Sequence, residues 1–258
     1  MEQRSTLKRP YPGTQAIARA VAILKAFSDA RPRWRVTDLA RELELTKPTI
    51  VRLLHALERE GMVMRGVSGT YGLGPGAIAL GTLALRSNDL RTTARAELES
   101  LAAATGETTT LEVRAADEIL ILDEVRVWHL LGTRPDIGTR WPAHATSTGK
   151  VFLAFGDASA RRALPARLTK LTRHTVTSGA KLRKELEQVA EQGYATAEEE
   201  LVEGFVAVAA PIRDHEGQVI AAMSVGGPTV RMTSDRLPRL GKLVRESAER
   251  VSVKLGAP

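Results

Sequence analysis

The sequence predicts an α+β fold in two domains: an N-terminal winged helix-turn-helix and a C-terminal domain with an antiparallel sheet, joined by a helical linker. Three observations predict it. Apolar side chains recur with helical periodicity over residues 15–61, in three short segments divided by turn signals. Strand-like runs form hairpins over residues 62–73, 108–125 and 206–225. The 258-residue length allows two domains that each bury a core.

Composition excludes several classes of protein. The chain has no cysteine, which excludes disulfide scaffolds, thiolate metal sites and cysteine nucleophiles. Its five histidines form no metal-ligand pair, so we expect no metal, and we expect no cofactor. Neither a signal peptide nor a run of about eighteen apolar residues is found, so we expect a cytoplasmic protein without membrane contact.

Positive charge is concentrated in the first third of the chain. The net charge is +7, and residues 1–75 hold thirteen Lys/Arg against seven Asp/Glu. The remaining residues are therefore almost neutral. Such segregation favours a polyanion as the partner of the first third, whereas a need for solubility alone gives no reason for it.

The first three helices are delimited by helix caps and breakers. The second helix, within VTDLARELEL, has Thr37 as its predicted N-cap. The third begins at Thr46 as N-cap, tolerates Pro48 in its first turn and ends at Gly61. The apolar stripe of the first helix consists of Ile17, Ala20, Val21 and Leu24. The short turn between the second and third helices predicts a helix-turn-helix.

Polar residues at the start of the third helix are candidates for DNA contact. We expect Lys47, Thr49 and Arg52 to share its exposed face, as in a recognition helix in a major groove. Arg52 suits a bidentate guanine contact, Thr49 a base or a phosphate, and Lys47 a phosphate. For each residue, a merely solvated helix end is the alternative.

The hairpin after the third helix is predicted to be a wing. Arg65 and Ser68 lie near its tip and are candidates for contact with the DNA backbone or a minor groove. A hairpin that only packs the domain is an equal alternative. We expect residues 1–75 to form the DNA-binding domain, 76–90 a linker helix and 91–258 the second domain.

The order of the segments AVAILKAF, VTDLARELELTKPTIVRLLHALEREGMV and YGLGPGAIALG resembles the N-terminal region of IclR-family bacterial transcriptional regulators. In the second half, PAHATSTGKVFLAF and GYATAEEELVEGFVAVAAPIRDHEGQVIAAMSVGGP are also similar to this family, so the resemblance covers roughly residues 14–255. It implies a GAF-like effector-binding domain and a homodimer or homotetramer. Such an assembly would bind a pseudo-palindromic double-stranded DNA operator.

The stretch HATSTGK is compatible with two functions, catalysis and ligand binding. Ser147 and Lys150 fit the S-x-x-K spacing of serine acyl-enzymes, which indicates a small-molecule hydrolase as the alternative. The S-D-N, K-T-G and G-x-S-x-G elements are missing, so we expect no catalytic residue and no enzyme. Thr146, Ser147 and Thr148 instead begin a helix, where free backbone N–H groups favour the carboxylate of a small organic acid. Hydroxyls that only cap the helix are the alternative.

The resemblance implies further effector-binding residues. Carried over from the family, the candidates are Ser147, Thr148, Ala207, Ser224 and the acidic stretch Glu198-Glu199. The side chains of Trp128, Trp141 and Met223 are additional candidates for lining the pocket. Some family members have cysteine at the position of Ala207, serine at Gly226 and aspartate near Ala197. These departures would enlarge the pocket, so we expect an aromatic or longer-chain acid. We expect Lys150 to pair with Glu199 or Glu200.

Overall fold

The structure is a computed structural model that describes residues 14–28, 30–86, 89–127, 136–156 and 164–258. The chain divides into two compact units, one up to Ser87 and one from Asn88 onward. None of the helices in the described ranges is both long and apolar enough to cross a bilayer.

In the part of the first unit that the structure describes, three helices, a hairpin and a fourth helix follow one another. In chain order these are α1 (Gln15–Lys25), α2 (Val36–Glu42), α3 (Lys47–Arg59), β1 (Val63–Arg65), β2 (Tyr71–Leu73) and α4 (Pro75–Arg86). Between α2 and α3 the chain turns at Glu44, whose φ of 52° is left-handed. The predicted helix-turn-helix is confirmed.

The core of this unit lies between the three helices and the hairpin. Its buried side chains are Ile23, Trp34, Leu39, Ala40, Ile50, Leu53, Leu54, Val63 and Tyr71. The predicted stripe of α1 is only partly correct: Ala20 and Leu24 pack against this core, but Ile17 and Val21 are exposed. Ile23 sets the buried face, and helical periodicity turns Ile17 and Val21 more than about 100° away from it.

Helix α2 begins earlier than predicted, so the assignment of Thr37 as its N-cap is wrong. The carbonyl of Arg35 accepts hydrogen bonds from the backbone N–H groups of Asp38 and Leu39, at 3.1 and 3.0 Å. Arg35 is therefore the N-cap and Thr37 lies within the helix.

The predicted wing is present and has an additional partner. Strands β1 and β2 pair antiparallel, with Met64 opposite Gly72. Trp34, which precedes α2, exchanges two backbone hydrogen bonds with Tyr71, of 2.9 and 2.7 Å. The segment before α2 therefore extends the hairpin on one side.

Within its described residues, the second unit has four helices and six strands. They are α5 (Asp89–Thr105), β3 (Thr108–Ala115), β4 (Glu118–Val125), β5 (Arg140–Pro142), α6 (Ser147–Phe155), α7 (Gly179–Gln192), β6 (Ala195–Glu198), β7 (Phe205–Arg213), β8 (Val219–Pro228) and α8 (Leu237–Lys254). A single turn of 3₁₀ helix, Ala143–Ala145, precedes α6.

The six strands form one antiparallel sheet in the order β5-β4-β3-β8-β7-β6. Helices α6 and α7 cover one face of this sheet, and α5 and α8 cover the other. The predicted α+β class is confirmed. Strands β5 and β6 were not predicted, because three and four residues are too few to show alternation.

Candidate functional site

The exposed face of α3 is cationic. At about 100° per residue, four exposed residues lie within about 60° of one another around the helix axis. They are Pro48, Arg52, His55 and Arg59. The buried residues Ile50, Leu53 and Leu54 lie on the opposite side. Sequence reasoning missed His55 and Arg59, although the helical period that selected Arg52 also selects them.

Lys47 and Thr49 do not share this face as predicted. Lys47 is exposed but lies about 140° from Arg52 around the helix axis. Thr49 is half-buried, and its hydroxyl lies 2.9 Å from the hydroxyl of Thr46. Thr46 does occupy the N-cap position, but its side chain makes no capping bond to a backbone N–H group. Arg52 is therefore the predicted residue best placed on the open face of α3.

The wing carries two exposed candidates and one residue that sequence reasoning missed. Arg65 and Ser68 are both exposed, as a contact with DNA requires. Arg33 lies against the same hairpin, because a Cβ atom added at Gly66 would lie 2.7 Å from its Nη1 atom. The pairing of Trp34 with β2 brings Arg33 there, and no local sequence pattern shows that pairing.

In the second unit, polar residues converge between α6 and the sheet. The Thr110 hydroxyl donates to Glu112 Oε1 at 2.6 Å, and the Thr148 hydroxyl donates to Glu112 Oε2 at 2.5 Å. The Ser224 hydroxyl lies 2.7 Å from that of Thr110 and 3.4 Å from Glu112 Oε1. All four side chains are buried. Two predicted residues, Thr148 and Ser224, thus meet at Glu112, which sequence reasoning did not identify.

Glu112 is held in an unusual electrostatic environment. Burial raises the pKa of its carboxyl above the ordinary value, and hydrogen bonds from Thr110, Thr148 and Ser224 oppose that rise. Among the residues that the structure describes, no Lys, Arg or His forms an ion pair with it. The four-residue set Thr110, Glu112, Thr148 and Ser224 is named the Glu112 cluster below.

Strand β8 divides the predicted residues between the two faces of the sheet. Gly226 lies two residues from Ser224, on the same face, and is opposite Ala207 of β7. Met223 is adjacent to Ser224 and therefore faces the other way, beside Leu111. Met223 therefore does not share a face with Ser224, contrary to the expectation that both line one pocket, because successive residues of a strand point to opposite faces.

The space beside Ala207 and Gly226 is occupied by an aromatic ring. A Cβ atom added at Gly226 would lie 2.6 Å from Phe205 Cζ and 3.6 Å from the Cβ of Ala207. Phe205 precedes Ala207 by two residues on β7 and so shares its face. The expectation that small residues here enlarge the pocket is corrected, since the Phe205 ring fills the room beside Gly226.

The first turn of α6 is fixed by short local contacts. Thr146 is the N-cap, and its hydroxyl accepts a hydrogen bond from the Gly149 N–H at 3.1 Å. A Cβ atom at Gly149 would lie 2.0 Å from the carbonyl oxygen of Ala143, so only glycine fits there. Thr146 is therefore used as a cap, whereas buried Ser147 stands at the helix start beside Thr148.

Lys150 belongs to a buried ion-pair network. Its Nζ atom lies 2.5 Å from Glu185 Oε1, 2.5 Å from Glu200 Oε1 and 3.1 Å from the carbonyl oxygen of Thr196. The expected pairing with Glu200 is confirmed. Because its ammonium donates to these three oxygens, Lys150 is not placed to activate Ser147 as an S-x-x-K lysine would.

Two other predicted residues lie away from the Glu112 cluster. Glu199 accepts a hydrogen bond from the Gly204 N–H at 2.8 Å and so stabilises the turn between β6 and β7. Trp141 lies opposite Ile119 on the edge strand β5, and β4 and β3 separate it from β8. The positions of Glu199 and Trp141 therefore give no support for a contact between either residue and a ligand at the Glu112 cluster. Trp128 lies outside the described residues.

The two units together define a class of protein. A winged helix-turn-helix with a cationic recognition surface is joined to a domain that encloses a polar cluster, which is the architecture of a ligand-responsive DNA-binding regulator. The chain belongs to the IclR family: residues 16–65 match the IclR helix-turn-helix domain, and residues 82–253 match the bacterial transcriptional regulator IclR C-terminal domain. It is a DNA-binding transcriptional regulator with a C-terminal effector domain and not an enzyme.

Relatives support this assignment over nearly the whole chain. The HTH-type transcriptional repressor AllR of Escherichia coli (strain K12) is 30% identical over 247 residues, which cover 95% of this chain and 91% of AllR. An IclR transcriptional regulator from Alicyclobacillus acidocaldarius has 31% identity and a TM-score of 0.82, covering 92% of this chain and 97% of its own.

A further solved structure contains a small molecule. An IclR homolog from Microbacterium hydrocarbonoxydans was solved in complex with 4-hydroxybenzoate. It is 28% identical, has a TM-score of 0.77 and covers 93% of this chain and 98% of its own.

Proposed function

We propose that this regulator binds a pseudo-palindromic double-stranded DNA operator and that a small organic acid, bound near the start of α6, modulates its operator affinity. The observation that carries the proposal is the convergence of Thr148 and Ser224, from a helix and a strand far apart in sequence, on one buried polar cluster. Buried hydroxyls and a carboxylate between a helix and a sheet are costly for stability alone, and a binding site accounts for them.

The DNA-binding half of the proposal is supported by the exposed cations of the first unit. Arg52 lies on the open face of α3, and Arg65 and Ser68 lie on the wing. Arg52 is our candidate for base readout, and Lys47 and Arg65 for phosphate contacts. Thr49 stays a candidate for a base or a phosphate where Thr46 is the donor between the two hydroxyls, because the Thr49 proton is then free.

The acid is proposed to lie at the N-terminus of α6. Backbone N–H groups at a helix start favour a carboxylate, and the buried side chain of Ser147 stands there. Ala207 and the Phe205 ring supply apolar surface on the same face of the sheet as Ser224. A relative that binds 4-hydroxybenzoate makes an aromatic acid the first class to try.

We further propose that the active species is a homodimer or a homotetramer. Ile17 of α1 and Ile78 and Leu80 of α4 are exposed apolar side chains, with 66, 69 and 58% of their surface accessible. Exposed apolar surface of this extent favours a protein partner. Residues 1–75 would then serve as the DNA-binding domain, 76–90 as the linker and 91–258 as the effector domain.

Fluorescence anisotropy tests the proposal directly. The full-length protein is titrated onto labelled DNA from upstream of its own gene and onto scrambled DNA of equal length, with and without 4-hydroxybenzoate and other small acids. Selective binding that one acid shifts is the expected result. Equal affinity for both DNAs, together with failure to enrich any sequence from a random pool, would contradict the DNA-binding half.

A variant locates the effector site. Ser147→Trp should abolish the response to the acid while leaving the affinity of the acid-free protein for DNA nearly unchanged, because the indole would occupy the position proposed for the carboxylate at the start of α6. Val253→Trp is the matched control, because it adds an indole to an exposed position on α8. An intact response in Ser147→Trp would place the acid elsewhere.

A further inference from the structure

Glu112 differs from the other buried acidic residues of the second unit, each of which pairs with a Lys or an Arg. Asp123 pairs with Arg91 and Arg95, Glu107 with Arg231 and Arg236, Glu97 with Arg250 and Lys254, and Glu200 with Lys150. Within the described ranges, Glu112 is the one buried carboxyl of this unit with no cationic partner. Its side-chain partners are the hydroxyls of the Glu112 cluster.

Those hydroxyls are arranged to serve a carboxylate. Thr110 and Thr148 each donate to a different oxygen of Glu112, and Ser224 donates to Thr110 or to Glu112. These hydrogen bonds to both carboxyl oxygens lower the pKa of Glu112 and so favour its charged form, against the opposing effect of burial. Hydroxyl donors alone do not offset the cost of burying a full charge, which in proteins is met by a counter-charge.

The position of Glu112 restricts the ligand that could bind beside it. Thr148, in the first turn of α6, touches Glu112 directly, so a ligand at the helix start lies next to this carboxyl. A plain carboxylic acid would bring a second negative charge into a buried site, and two carboxylates sharing such a site repel each other. A ligand that adds a positive charge would instead neutralise Glu112.

We propose that the effector carries a protonated nitrogen as well as a carboxylate, and that this nitrogen pairs with Glu112 while the carboxylate faces the N-terminus of α6. The chemical class is an amino acid or another amine-bearing acid. This inference rests on the proposed effector site, and it names the group that the site selects.

Matched pairs of ligands test the proposal. Isothermal titration of the full-length protein at neutral pH compares 4-(aminomethyl)benzoate with 4-methylbenzoate, and 4-aminobutanoate with butanoate. A wider panel of amino acids and their deaminated analogues follows by thermal shift. We expect amine-bearing members to bind about tenfold or more tightly than their amine-free partners, as a charge-assisted hydrogen bond in a buried site implies.

Variants connect the preference to Glu112. Glu112→Gln keeps the shape of the side chain and should reduce the preference for the amine to nearly nothing. Glu187→Gln is the matched control, because it makes the same change at an exposed position of α7 outside the cluster, so it should retain the preference. A preference that persists in Glu112→Gln would overturn the assignment, and the selectivity of the wild-type protein provides the test if that variant does not fold.

The outcomes separate this inference from the proposed function. If amine-free acids bind as tightly as their amine-bearing partners, or if only amine-free acids bind, the inference is overturned and the effector site is kept. If no acid of either kind binds or shifts operator affinity, both the inference and the organic-acid part of the proposed function are overturned.

Discussion

Replacing Lys150 by methionine would measure how much the buried ammonium stabilises the second unit. The side chain of Lys150 is fully buried, and its Nζ lies 2.5 Å from Glu185 Oε1, 2.5 Å from Glu200 Oε1 and 3.1 Å from the Thr196 carbonyl oxygen. Methionine keeps an unbranched apolar chain in the same space. The substitution therefore removes mainly the charge and its hydrogen bonds.

Glu200 determines how much stability the Lys150→Met variant loses. Its side chain is 8% exposed, whereas that of Glu185 is 27% exposed and is better able to be hydrated. Without Lys150, Glu200 can stay charged, which costs about 3–5 kcal/mol of stability because the buried charge has no partner, or it can take up a proton. Protonating an ordinary glutamate carboxyl at pH 7 costs about 3.5 kcal/mol. Because the less costly route sets the limit, we expect the free energy of unfolding to fall by about 3.5 kcal/mol.

The loss should depend on pH. Burial raises the pKa of Glu200, and the Lys150 ammonium opposes that rise. In Lys150→Met the opposition is gone, so the folded variant holds a proton that the unfolded chain releases, and its stability increases as the pH falls. The deficit relative to wild type should shrink to about 1 kcal/mol at pH 5. Urea-induced unfolding followed by circular dichroism measures both values.

A double variant provides the control. Lys150→Met combined with Glu200→Gln leaves no uncompensated charge at this position, so it should recover at least half of the lost stability. A loss below about 1 kcal/mol in the single variant, against the 3–5 kcal/mol typical of broken buried pairs, would refute the reasoning. Equal instability of the single and double variants would also do so.

Three further predictions concern other residues. Glu112→Gln should raise the stability of the ligand-free protein at pH 7 by about 1 kcal/mol or more. Because burial raises the pKa of Glu112, wild-type stability declines as the pH rises above the unfolded-state value, and urea unfolding from pH 5 to 8 should show a flatter profile in the variant. Arg52→Ala should weaken specific operator binding by about 1–3 kcal/mol and relax preference at one base position, measured by anisotropy on point-substituted operators. Unaltered specificity would remove Arg52 from the readout. Gly149→Ala should cost about 3 kcal/mol in urea unfolding, since its Cβ would meet the Ala143 carbonyl, whereas Gly81→Ala on α4 has open space and should cost nothing.

Local patterns predicted the fold well because its elements carry their own signals. Four strands are long enough to show a strand-like run of residues, namely β3, β4, β7 and β8. Helix α3 is bounded by Thr46 and Gly61. The start of α2 was misplaced, because Thr37 suits an N-cap by residue type while the backbone of Arg35 supplies the first acceptor. Residue type alone does not determine where a helix begins.

The site was harder to predict because it depends on register and on distant contacts. Thr148 and Ser224 were identified, but their common partner Glu112 lies in a strand whose local pattern gives no hint of a buried charge. Met223 was placed in the same site as Ser224, although neighbouring residues of a strand point to opposite faces, which the sequence alone indicates. Phe205 was missed because its ring reaches over Gly226 from the neighbouring strand. The contacts of Phe205 with Gly226 and of Ser224 with Thr110 require the sheet order, which no local window contains.

Two buried charges of the second unit have different roles. Lys150 helps to hold α6 in place, whereas Glu112 is the group that would respond to a ligand. Lys150, the Thr146 cap and the close approach of Gly149 to Ala143 fix the start of this helix without any ligand. Glu112 is left with hydroxyl partners only, so binding at this site adds an interaction that the scaffold does not already make. A ligand shifts a conformational equilibrium only by its differential affinity for the two states. If the distance between Glu112 and the first turn of α6 differs between the DNA-bound and free regulator, a ligand that bridges them would discriminate between the two states, and one that touches only α6 would not.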